Sequence, residues 1–185
     1  MIEPAKVPDR GVLVGATISG VFGVAWSLWA ASGLSGVVAI VVAVVGIVLG
    51  LLIIIPTVRA RRSASAADGS RSMFSSRPYR LIVAGEVIAI VVGAIVLGRT
   101  GHTQYIPGWV AVAVGAHFLG FGRLFWGGYY VLGGALIAAG VVGAIVGLSG
   151  HSSGSVAATT GIIAAVSLFA AGARVLRPAS VGRAS

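Results

Sequence analysis

The chain has 185 residues, of which 57 % are hydrophobic and only 9 % charged, with a formal net charge of +9. Its mean hydropathy is +1.04. Soluble globular domains carry roughly 25 % charged residues, so this chain cannot clothe a water-facing surface of ordinary extent, and a soluble enzyme, a soluble nucleic-acid binder and a disordered chain are excluded.

The apolar runs are about 20 residues long rather than alternating segments of about ten, which points to membrane-crossing helices and not to a barrel. Six spans are predicted, at residues 12–31, 36–57, 81–98, 108–125, 129–148 and 156–176. Each approximates the length that crosses ~30 Å of hydrocarbon at ~1.5 Å per residue. The first follows Lys6 and Arg10, as a signal peptide would. Its apolar stretch exceeds the ~7–15 residues of a signal core and no Ala-x-Ala site follows, so it reads as an uncleaved span. The second holds Gly46 and Gly50, a spacing that lets helix backbones approach closely within the chain, and Pro56 marks its end.

Residues 58–80 form the one long hydrophilic connection, with Asp68 and six arginines (59, 61, 62, 71, 77 and 80). It reads as a flexible, topology-setting cytoplasmic loop, and at ~1 kcal/mol per basic residue it also offers a surface for anionic lipid at 59–80. The third span carries Glu86. The fourth starts near Pro107, carries His117 and ends at Arg123. The fifth repeats the small-residue spacing at Gly143 and Gly147. Short Gly/Ser turns lie at 32–35 and 149–155, and Gly-Leu-Ser-Gly occurs at both 33–36 and 147–150 without an alignable repeat around it.

Lys and Arg mark the cytoplasmic side of a membrane protein. With the N-terminus inside, twelve of the thirteen basic residues fall on the inner side and only Arg99 falls outside. The fold class is therefore all-α: a polytopic membrane helix bundle, a single transmembrane domain of six transmembrane helices, with N and C termini cytoplasmic. Trp26, Trp29 and Trp109 fall near the outer boundary and Trp126 near the inner one, as interfacial aromatics do. The positive charge is assigned to loops beside anionic lipid, and no nucleic-acid partner is expected. With no cysteine and three scattered histidines, neither thiolate chemistry nor a metal cage is expected, and no cofactor is called for. The oligomeric state is left open.

Three ionisable residues stand in or at the end of apolar runs: Glu86, His117 and Arg123. Such groups are costly in hydrocarbon and have a partner or a job. Spans three and four make an antiparallel hairpin whose inner ends are marked by Arg80 and Arg123. Glu86 and His117 each lie six residues inside those arginines, about 9 Å along a helix, so the two belong at one depth in the cytoplasmic half; helix rotation decides whether they meet. They can lock two helices together, or serve as catalytic groups, with a carboxyl favoured in its proton-bearing form by desolvation and opposed by a nearby cation. Phe118, Phe121, Phe125, Trp126, Tyr129 and Tyr130 follow His117 closely. They read as packing and interfacial residues, or, with Arg123, as the wall of a site for a flat or isoprenoid molecule.

The stretch Val114-Gly-Ala-His-Phe-Leu-Gly-Phe-Gly-Arg-Leu-Phe125 resembles a Val-Gly-x-His-Phe-Leu pattern of small, uncharacterised multi-pass bacterial membrane proteins, with Gly120 where those tend to have proline. The Gly/Ala/Val/Arg bias looks actinobacterial, and the resemblance implies the bacterial cytoplasmic (inner) membrane. The chain is more distantly similar to small membrane-embedded terpene cyclases, which implies a buried acid, here Glu86, protonating an isoprenoid while aromatic rings shield the cation. Three functions stay open: a membrane protein binding a lipophilic small molecule near Glu86 and His117, an isoprenoid- or lipid-modifying enzyme using Glu86 as acid, and a small proton-coupled transporter.

Overall fold

Hydrocarbon offers no partner to a backbone N–H or C=O, so each apolar run has to satisfy its own groups as a helix. In the structure, a computed structural model that describes residues 10–63, 76–124 and 127–176, six helices do so. They are α1 (Arg10–Ser32), α2 (Gly36–Ser63), α3 (Arg77–Arg99), α4 (Ile106–Leu124), α5 (Gly128–Leu148) and α6 (Ser153–Leu176), with a 3-10 turn at Thr103–Tyr105 before α4. No strand occurs among the described residues. All six helices are long and apolar enough to cross a membrane, and the chain is a multi-pass membrane protein with an all-α, six-helix bundle.

Helix α6 is the axis of the bundle. It packs along α1 and α5, and more lightly on α2 and α4, while α1 pairs with α2 and α4 with α5. Small residues make this possible, because between membrane helices close backbone approach replaces the hydrophobic effect. Gly23 lies under the Phe169 ring, Gly161 under Trp26 and Ala30, and Gly33 against Gly154. Between α4 and α5, a Cβ on Gly115 or Gly133 would stand 2.7 Å from the carbonyl oxygen of the other. Gly46 and Gly50 face α1, and Gly143 faces Thr160 of α6, so both small-residue pairs serve packing within the chain. Thr17 and Thr57 add a hydroxyl–hydroxyl bond of 3.0 Å between α1 and α2.

Three local expectations are corrected. Pro56 does not end α2, which continues to Ser63; the Thr57 hydroxyl donates to the Ile53 and Ile54 carbonyls at 2.9 and 3.0 Å beside the gap that proline leaves. Residues 58–63 and 77–80 are therefore helical rather than loop, and Arg59, Arg61, Arg62, Arg77 and Arg80 sit on helix ends. The rest of that connection, with Asp68 and Arg71, lies outside the described residues apart from Ser76, whose Oγ accepts the Tyr79 N–H and caps α3. Trp26 is a core residue, 4 % exposed and stacked on Trp29 at 5.2 Å, not an interfacial anchor. The connections opposite the arginine-rich end each use one left-handed glycine, Gly36, Gly101 and Gly150, so both Gly-Leu-Ser-Gly copies end in a turn that only glycine adopts at little cost.

Helix α3 differs from the others. None of its 23 residues is buried, and its packing is with α4 and the 3-10 turn.

Candidate functional site

Along α3, Tyr79, Ile82, Glu86, Ala89 and Gly93 recur every three or four residues and so share one face. That face meets α4 at a few specific points. Tyr79 stacks on Phe121 with ring centres 5.2 Å apart. Ile82 lies against Gly120. Glu86 Oε2 lies 2.6 Å from His117 Nδ1. The Trp109 indole N–H donates to the Ala89 carbonyl at 2.9 Å, and its ring occupies the space beside Gly93.

The equal depth expected for Glu86 and His117 thus becomes a direct contact, with the side chains 16 % and 10 % exposed. The His117 Nδ1 atom is buried, and its N–H is not aligned on the carboxylate as a hydrogen bond requires. The two side chains are in contact without a hydrogen bond between them, and the Glu86 carboxyl keeps acceptor capacity for another group.

Aromatic rings surround the imidazole. Phe121 approaches it at 4.1 Å and Phe118 at 5.1 Å, both edge to face. Tyr129, at the start of α5, stacks on Phe118 at 5.7 Å and meets Phe121 edge-on at 5.9 Å. The Tyr129 hydroxyl lies beside Gly15 of α1. The site is therefore one acid and one imidazole at the α3–α4 contact, walled by Tyr79, Phe118, Phe121 and Tyr129, in the half of the bundle nearer the arginine-rich helix ends.

The other sequence candidates fall elsewhere. Arg123 is exposed at the last turn of α4, about 120° around the helix from His117 at ~100° per residue. Tyr130 lies on Gly122 and is 47 % exposed. Phe125 and Trp126 lie outside the described residues. Tyr79 is the residue that sequence reasoning passed over. It is neutral and near a span end, but it lies two helical turns before Glu86, and that spacing is the signal that places it on the same face. Among the described residues no group of three or more metal-ligand side chains forms.

Comparison of the chain with protein families, with curated proteins and with solved structures finds no match.

Proposed function

We propose that this protein, in a bacterial cytoplasmic membrane, binds a lipophilic small molecule that carries one polar group. Glu86 and His117 hold the polar group, and Phe118, Phe121, Tyr79 and Tyr129 hold the apolar body. The single observation behind this reading is the Glu86–His117 contact at 2.6 Å inside a collar of aromatic rings. A polar pair enclosed between helices is a poor device for stability alone, since apolar packing of the same volume is often equal or better. Glu86 is the one carboxylate of α3, and it is placed at the aromatic collar rather than at the water-facing ends of the helix. The test is mass spectrometry of lipids that co-purify with the wild type and with Glu86→Gln. A discrete amphiphile held by the wild type and lost from the variant supports the proposal; the same bulk phospholipid in both contradicts it.

The aromatic collar favours one second reading, an isoprenoid cyclase. Glu86 in its acid form would donate its proton to an alkene carbon, and the ring faces would attract the resulting cation. Incubation with a labelled prenyl substrate separates the two: conversion that Glu86→Gln abolishes favours the enzyme, and binding without conversion favours the carrier.

A further inference from the structure

At the end of the bundle opposite the arginine-rich helix ends, a recess of about 330 Å³ opens between the end of α1, the 3-10 turn and the starts of α4 and α6. Its size falls within the ~300–1,000 Å³ of ligand pockets. The local sequence explains why it is open. Gly33 and Gly154 bring the backbones of α1 and α6 into contact, and the flanking residues, Ser32 and Ser153, are too small to fill the space above. The lining divides into two kinds. Trp29 and Pro107 supply an apolar wall, and Ser32, Thr103, Gln104 and Ser153 supply hydroxyl and amide groups. Among the described residues no ionisable side chain lines it. Trp29 is held in place by its stack on the buried Trp26, with the ring planes only 16° apart, so the wall is organised before any ligand arrives.

We propose that this recess binds a neutral, hydroxyl-rich group of about the size of a sugar ring, presented either by a lipid head group or by a free saccharide. The C–H edges of such a ring suit the electron-rich face of an indole, and its hydroxyls match a lining that both donates and accepts. A phosphate or carboxylate would instead call for a cationic side chain in the wall, where none of the described residues supplies one. The site is independent of Glu86 of α3 and His117 of α4, which lie in the opposite half of the bundle.

The full chain in phosphatidylcholine nanodiscs tests this with two probes. Methyl β-D-glucoside is titrated from solution by calorimetry, and glucosyl-diacylglycerol placed in the disc is counted on the protein by native mass spectrometry. Phosphatidylglycerol serves as the anionic comparison. Saturable binding of either glucosyl probe is expected, and which probe binds identifies the source. Gln104→Ala and Thr103→Trp, both on the short turn outside the long helices, each test the lining. At least one of them is expected to weaken binding about tenfold, equivalent to ~1.4 kcal/mol. No saturable binding of either probe, binding unchanged in both variants, or a preference for phosphatidylglycerol would overturn the proposal.

Discussion

The Glu86–His117 contact has unequal halves. An imidazole without the carboxyl still packs on Phe118 and Phe121, whereas loss of the imidazole takes away those ring contacts as well as the partner of Glu86. His117→Ala is therefore expected to destabilise the protein by about 1–3 kcal/mol, and Glu86→Gln, which keeps size and an acceptor oxygen, by less. Unfolding in mixed detergent micelles measures both. A double-mutant cycle between the two positions is expected to give a coupling of about 0.5–3 kcal/mol; additivity would mean that the contact carries no energy. The shared depth of these residues is legible in the chain because each lies the same number of helical steps inside a boundary arginine, Glu86 after Arg80 and His117 before Arg123. Their meeting is not, since it depends on helix rotation, and rotation is set by fits such as Trp109 beside Gly93 and Ile82 against Gly120. The same blindness to rotation grouped Arg123 and Tyr130 with His117 by proximity in sequence and passed over Tyr79.

At the scale of elements, α3 depends on a handful of contacts rather than on buried area. Two of its glycines make the point testable. Gly93 has the Trp109 indole where a side chain would go, and Gly85 has open space around it. Gly93→Val is expected to cost about 1–3 kcal/mol by overpacking, while Gly85→Val stays within about 0.5 kcal/mol, as surface changes usually do. Equal effects in unfolding would show that α3 does not dock through this face. For α1 and α2, the native chain has no cysteine, so Thr17→Cys with Thr57→Cys gives a clean test of register. The hydroxyls are 3.0 Å apart, and rapid oxidative crosslinking is expected. The six helices are readable from apolar run length, but the continuation of α2 beyond Pro56 is not, because it rests on a threonine hydroxyl reaching back to carbonyls one turn earlier.

Over the whole molecule, small residues let α6 serve as the axis, the described arginines other than Arg99 gather at one end, and the glycine turns lie at the other. If lysine and arginine set the orientation as they usually do, a cysteine at Ser76 reacts with an impermeant maleimide only in inverted vesicles, and one at Ser35 only in intact cells. The reverse pattern would invert the reading. Helix number and the ends to which residues belong follow from hydropathy and charge. The recess beside Trp29 does not, since it exists only where three segments far apart in the chain converge.

A ligand held beside Glu86 and His117 should be reachable from within the aromatic collar. The most direct test places a photo-crosslinking benzoylphenylalanine at Phe118, inside the aromatic collar, and separately at Val141, 48 % exposed on the outer surface of α5. One discrete lipophilic adduct is expected at Phe118, absent when Glu86→Gln is added, and bulk phospholipid at Val141. Bulk phospholipid at both positions, unchanged by Glu86→Gln, would contradict it.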